Sequence, residues 1–210
     1  MSKKQLVLIG GGGHCKSVIE AIKLDENIDF IGIVDAQKLD EVAGIAYLSD
    51  DSILPDLVNQ HYHFLICVGN IGAPTLRIKL FEKIRGLHGL FAIGIAPNAT
   101  VAANSNIGDG TVIMQQAIVN SEVIIGQNCI INTRALIEHE TMIGDHVHVS
   151  TGAIINGQCH IGNNCFIGSG AIVGNNISIA SNTIIGAGSI VLKDIKEAGT
   201  YFGHPARKFK

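Results

Sequence analysis

The chain has 210 residues, with 15 Lys and Arg against 18 Asp and Glu for a formal charge of −3. That balance, without a basic run or an acidic tail, argues against nucleic acid or an anionic membrane surface as a partner. The length allows one large domain or two modest ones, and five cysteines without paired zinc spacing argue against a metal site or a disulfide framework.

Lys3 and Lys4 precede the apolar run Leu6 to Ile9, which is far too short for a signal peptide or a membrane span, so a cytoplasmic protein is expected. Gln5 to Ile9 reads as a first strand and Gly10 to Gly13 as a turn. Val18, Ile19, Ala21 and Ile22 then have helical spacing within Ser17 to Leu24. A second strand, Phe30 to Val34, ends on Asp35. Such a strand, glycine turn and helix aims free N–H groups and the positive end of the helix dipole at one point, which suits a phosphate. An acid at the end of the second strand suits a ribose or base. The dinucleotide fingerprint is incomplete, because Cys15 stands where its last glycine or alanine belongs. A third strand, Phe64 to Val68, ends at Gly69 and Asn70. The helix after Pro74 carries Leu76, Ile78, Leu80, Phe81 and Ile84. These elements predict a small Rossmann-like parallel sheet over residues 1–94, with ligands at its carboxyl edge.

From Ile95 to Val191 an isoleucine or valine returns every six residues, 17 times in succession. Four residues after each comes a small, thiol or β-branched side chain, including Ala99, Thr111, Cys129, Cys165 and Ser189, and Gly, Asn or Asp fills much of the rest. A helix would reject this mixture, whereas short strands joined by polar corners accept it. The period therefore predicts a parallel β-solenoid over residues 95–210, giving an α/β plus β-solenoid chain of two domains. Cys129, Cys159 and Cys165 fall at the small inward position, where core packing accounts for them. His139 breaks the filling pattern by putting an imidazole at an outward corner between Glu138 and Glu140. There an imidazole, oriented by a carboxylate, can take a proton from an attacking group.

The hexad stretch resembles the left-handed β-helix acyltransferases built from hexapeptide repeats. The whole chain resembles the sugar-nucleotide and sialic acid acetyltransferases of the PglD and NeuD type. The stretches that carry the likeness are Ile9-Gly-Gly-Gly-Gly-His14, Cys67-Val-Gly-Asn70, Asn132-Thr-Arg-Ala-Leu-Ile-Glu-His-Glu140, His146-Val-His-Val-Ser150 and Gly203-His-Pro-Ala-Arg207.

The resemblance implies coils of three hexads, so that residues 18 apart stack. It also implies acetyl-CoA as co-substrate, no metal, and a homotrimer in which the pantetheine arm lies between neighbouring β-helices. It assigns His139 as general base with Glu140 sharpening it and Glu138 as the weaker candidate. Gly157, one coil below, becomes the oxyanion donor, and His148 contacts the acetyl group. Ser169, Gly186 and Ala187 line the acetyl-CoA groove, and Arg207 or Lys208 is free to meet the CoA phosphates. Gly12, Gly13, His14, Asp35 and Gly69 hold the acceptor, with Asn132 lining the same site. Acceptor contacts other than Asn132 are expected before about residue 96.

Three activities compete. The first is N-acetylation of the 4-amino group of a nucleotide-linked 4-amino-4,6-dideoxy sugar for surface glycan or glycoprotein synthesis, with UDP as the expected carrier. The second is O-acetylation of sialic acid or another polysaccharide sugar, and the third is a non-catalytic β-helix that only binds. The nucleotide-type turn favours the first. The triplet Glu138-His139-Glu140 above Gly157 weighs against the third, since a scaffold needs none of them. Ala36 stands where the related enzymes often carry a second acid.

Overall fold

The computed structural model describes residues 3–209. Strand β1 (Lys4–Ile9) leads into helix α1 (Gly13–Ile22), which begins four residues before the expected start, on the glycine run itself. Gly12 is its N-cap and has no side chain to accept from the first turn, so the opening N–H groups stay available to a ligand. Next come β2 (Ile28–Val34) and a hairpin of β3 (Glu41–Val42) and β4 (Ile45–Ser49). They are followed by α2 (Leu54–Asn59), β5 (His63–Ile66), α3 (Thr75–Gly86) and β6 (Leu90–Phe91). The sheet order is β3-β4-β2-β1-β5-β6, parallel throughout except for the β3–β4 hairpin. The hairpin and α2 went unread in the sequence because strands of two and five residues and a six-residue helix are too short to show a clear period.

From Gly94 the chain winds as a three-faced prism of two-residue strands. Each strand pairs with the one 18 residues on, as in Val112↔Ile130, Leu136↔Ile154 and Met142↔His160. The register residues Ile113, Val119, Ile131, Ile137, Val149 and Ile155 are wholly buried, and Cys129, Cys159 and Cys165 fill the inward gaps between them. The corner residue three places after most register positions lies in the left-handed region, at φ 59° for Gln116, 57° for Glu140 and 65° for Gly170. That conformation explains the Gly and Asn that recur there, and Gln116, Glu122, Arg134, Glu140, His146 and Gln158 adopt it as well because the coil holds them there.

The first prism face runs through Val112, Ile130, His148 and Phe166, the second through Ile118, Leu136, Ile154 and Ile172, and the third through Ile124, Met142 and His160. The first face is not solvated. Val112, Met114 and Ile130 share a buried cluster with Val18, Ile19 and Ile22 of α1, and Phe81 of α3 stacks on Phe91 and meets His146 edge-on. The sheet domain is thus packed on one face of the prism. After Val191 the chain leaves the hexad register, and Gly199–Gly203 with Ala206–Lys208 extends the first face as a hairpin.

Candidate active site

Two groups of the expected residues form, on different sides of the molecule. The first lines a cleft of about 680 Å³ at the carboxyl edge of the sheet, bordered by Gly12, Gly13, His14, Asp35, Gly69 and His148. Asp35 accepts the Gly11 N–H at 2.6 Å and the Gln37 N–H at 2.8 Å. It therefore shapes the glycine turn as well as facing the cleft. Gly69 is small for a reason, since a Cβ there would stand 3.1 Å from the Cβ of His14. Burial, with Arg77 and His148 nearby, pushes His14 down to about 3. His14 is thus a neutral ring at physiological pH, and its Nε2 is buried without a partner. His14 can therefore meet a ligand as a neutral hydrogen-bonding ring, not as a cation.

His148 lines this cleft and does not stand at the corner of His139. Its Nδ1 lies 2.8 Å from Asn70 O and its Nε2 3.2 Å from Asn132 Nδ2, while Asn132 Oδ1 accepts the Thr133 N–H at 2.8 Å. The last bond orients the amide and the others follow: Nδ1–H donates to Asn70, and Nε2 accepts from Asn132. A neutral ring satisfies both, and burial pushes His148 down to about 4. Because its folded value lies below the ordinary 6.5, the unfolded chain binds the extra proton between them. The stability this neutral ring contributes is present above 6.5 and is lost as pH falls towards 4, by up to about 3 kcal/mol. Urea unfolding across this range should show wild-type stability falling faster with acid than that of His148→Gln. Parallel slopes would refute the assignment.

The second group stands on the edge between the second and third faces. His139 follows the strand Leu136–Ile137 and precedes Met142–Ile143. Its Nδ1 is 3.1 Å from Glu140 Oε2, and Gln158, one coil on, donates to the same oxygen at 3.0 Å. Both bonds hold the Glu140 carboxyl below its ordinary value. With Nδ1–H given to Glu140, Nε2 carries the free lone pair. Glu138 is engaged elsewhere, accepting from Asn120 at 2.8 Å. Gly157 lies directly under the ring: a Cβ there would be 2.6 Å from His139 Nε2. The Gly157 N–H is already given to Asn175 Oδ1 at 3.2 Å, so a thioester oxygen would have to displace that bond.

Ser169 and Ala187 are exposed on the edge between the first and second faces, and Ser169 Oγ is 2.9 Å from Ser150 Oγ. Gly186 is not an open contact. Its N–H donates to Tyr201 O at 2.8 Å, and the Phe202 ring covers it so closely that a Cβ would stand 2.0 Å from a ring carbon. The terminal hairpin, which the hexad pattern does not describe, is what buries it. Lys208 is ion-paired at 2.9 Å with the exposed Glu197. Gln158 and Asn175 escaped the sequence reading, although the 18-residue stacking of Glu140 on Gln158 and of Gly157 on Asn175 was there to find both, and Asn70, named there only as a strand end and motif residue, was given no contact with His148. Among the described residues no group of three or more His, Cys, Asp or Glu could hold a metal ion, and no helix is long and apolar enough to cross a membrane.

A Rossmann-like sheet seated on a hexapeptide-repeat prism, with a histidine–glutamate pair on a prism edge, is the architecture of a two-domain hexapeptide transferase. The family model of the PglD N-terminal domain matches residues 5–84, and that of the bacterial transferase hexapeptide (six repeats) matches residues 158–193. Perosamine N-acetyltransferase from Caulobacter crescentus, solved as a histidine-substituted variant with CoA and GDP-perosamine, is 31% identical over 98% of this chain and 97% of that one, with a TM-score of 0.91. The acetyltransferase domain of PglB from Neisseria gonorrhoeae, solved with acetyl coenzyme A, is 29% identical over 99% and 100%, with a TM-score of 0.93. WeeI from Acinetobacter baumannii, 22% identical over 99% and 100% with a TM-score of 0.80, shares the fold. The comparison with curated proteins finds no match. The chain belongs to the PglD-type sugar acetyltransferases, with the left-handed β-helix of that family.

Proposed function

We propose that the protein transfers the acetyl group of acetyl-CoA to the 4-amino group of a nucleotide-linked 4-amino-4,6-dideoxy sugar, with His139 as general base. The observation that carries this reading is the stack of Glu140, His139 and Gly157. A carboxylate holds Nδ1–H, the opposite nitrogen has no hydrogen-bond partner, and the glycine beneath lets the ring lie close against the coil backbone. In the reaction the amine attacks the thioester carbonyl and His139 Nε2 takes the amine proton. The tetrahedral intermediate then expels CoA thiolate, which receives that proton as the product amide forms. UDP is the carrier expected from sequence, and the GDP-perosamine held by the Caulobacter enzyme favours GDP as the second candidate. Incubating UDP-, GDP- and dTDP-linked amino sugars with acetyl-CoA and following thiol release tests both. Acetylation of a free sialic acid hydroxyl instead would sink the N-acetyl reading.

We divide the labour between residues 1–94, which carry the glycine turn for the acceptor diphosphate, and residues 95–210, which carry the acetyl donor and one wall of the acceptor cleft. Replacing Gly13 by Trp should weaken acceptor binding at least about tenfold, because its Cβ direction is open and a bulky ring would fill the phosphate position. Acetyl-CoA binding should stay unchanged in the same calorimetry. Equal loss of both would indicate misfolding, and unchanged acceptor affinity would remove the diphosphate from this turn.

The site is incomplete in one chain, which supports the homotrimer. In a three-faced prism the edge between the second and third faces lies opposite the first face, and the sheet domain with its cleft is packed on the first. His139 and the cleft of its own chain therefore look away from each other, and a neighbouring copy must bring a second His139 to the cleft. Ile118 on the second face, Leu192 at the corner just past it, and Ile124 and Met142 on the third are 39% to 58% exposed, apolar surface that such packing would cover. Light scattering should give three times the chain mass. Mixing His139→Ala chains with Gly13→Trp chains should regenerate activity that neither has alone. Mixed oligomers that stay inactive would place both halves of the site in one chain.

A further inference from the structure

Arg77 is a charge that the acetyl transfer described above does not use. It is 1% exposed, on the face of α3 that also buries Leu80, Phe81 and Ile84. Its guanidinium donates only to main-chain carbonyls: Ile66 O, Val68 O at 3.1 Å, Asn128 O at 3.1 Å and Gly110 O at 3.4 Å. Two of these belong to the end of β5, beside the cleft, and two to turns of the prism, so the side chain crosses the junction between the domains. No carboxylate pairs with it among the described residues. Burial lowers it to about 10, which still leaves it cationic at neutral pH.

Burying a cation without a counterion is costly, and four carbonyl dipoles offset only part of that cost. The cleft shows the reverse deficit. No Lys or Arg lines it, Asp35 brings a negative charge to its rim, and His14 and His148 are held neutral, in part by Arg77 itself. A nucleoside diphosphate in the cleft would meet the glycine turn and the start of α1, while Lys79 and Lys83 line the adjoining cavity that shares Gly10, Asp35, Val68 and Leu76 with it. The floor of the cleft, Cys67 to Gly69, is the strand end whose carbonyls Arg77 holds from beneath.

We propose that Arg77 supplies the positive charge for the acceptor diphosphate, acting through the cleft floor without touching the ligand. The diphosphate is then the counterion that the free protein lacks. This inference rests on the reading that the acceptor occupies this cleft. Two unit charges about 10 Å apart at an effective dielectric near 20 interact strongly enough to change affinity roughly tenfold, and two phosphate charges strengthen this further.

The test is calorimetry with UDP and GDP, and with uridine and guanosine as uncharged controls, on four proteins: wild type, Arg77→Lys, Arg77→Gln and Gly13→Trp. Arg77→Lys keeps the charge and loses the fork, whereas Arg77→Gln keeps hydrogen bonding and loses the charge. Both should lower thermal stability. Only Arg77→Gln should weaken diphosphate binding, by roughly tenfold or more, and the nucleosides should bind all the Arg77 forms alike. Equal loss in the Lys and Gln forms, or diphosphate affinity unchanged in the Gln form, would overturn the proposal and leave Arg77 as a clamp between domains.

If Arg77→Gln does not fold, a quadruple alanine variant of the exposed Lys16, Lys38, Lys79 and Lys83 decides. Unchanged diphosphate affinity leaves the buried cation as the source of charge, and weakened affinity refutes it. Gly13→Trp separates the two levels of the argument. If it leaves UDP and GDP binding intact, the acceptor does not lie in this cleft. If it abolishes their binding while Arg77→Gln does not, only the role of Arg77 falls.

Discussion

Replacing His139 by alanine should lower turnover by roughly a hundredfold to ten-thousandfold, the range for a lost general base, with little change in the affinity of either substrate. The ring is half exposed on a prism edge and makes one hydrogen bond, to Glu140, so its removal leaves the core and the coil register untouched. Glu140→Ala should act through the same imidazole. It releases Nδ1–H, and the ring is then free to turn Nε2 away from the position above Gly157. The loss should be smaller than for His139→Ala, and the double variant should be no worse than His139→Ala alone, because the glutamate has nothing left to orient. Steady-state rates for the three variants provide the check. A His139→Ala protein with near wild-type turnover would mean that the amine arrives deprotonated and that the site works by positioning alone.

Gly157→Ala should cost about a hundredfold in turnover while leaving the fold intact. The added methyl would lie 2.6 Å from His139 Nε2 and 2.7 Å from its Cε1, distances at which something must move. What moves is the end of an exposed side chain and not the backbone, since Gly157 does not occupy the left-handed region that would strain an alanine. The imidazole is therefore pushed off the thioester position with little loss of stability. The melting temperature and turnover of the same variant decide. A large drop in melting temperature would make Gly157 a packing residue, and unchanged turnover would free the base from any need for this contact.

The hexad register was fully legible in the sequence because each coil contacts the next at a constant separation of 18 residues. A periodic side-chain pattern then has one consistent stacking, whatever else the chain does. The same arithmetic puts Gly157 under His139, and the strand, glycine turn and helix at the start set the phosphate-type turn. These are local or strictly periodic relations, and they determine the class of fold and the candidate base.

Tertiary structure decided everything that depends on how the unlike units meet. His148 finds Asn70 across 78 residues of chain, and Arg77 finds Asn128 across 51, with no period linking them. The resemblance set His148 beside the acetyl group without saying what else it meets, and docking of the sheet on the first face brings it into the cleft lined by the glycine turn. Arg77 is the one basic residue on the buried face of α3, and what surrounds it follows only from the packing of that helix against two domains. Gly186 reads as an accessible corner until the terminal hairpin folds back and lays Phe202 over it. Helix propensity and hexad spacing say which side of an element is apolar. They do not say which other surface will cover it, because that is set by shape and by the polar groups left to satisfy once two surfaces close.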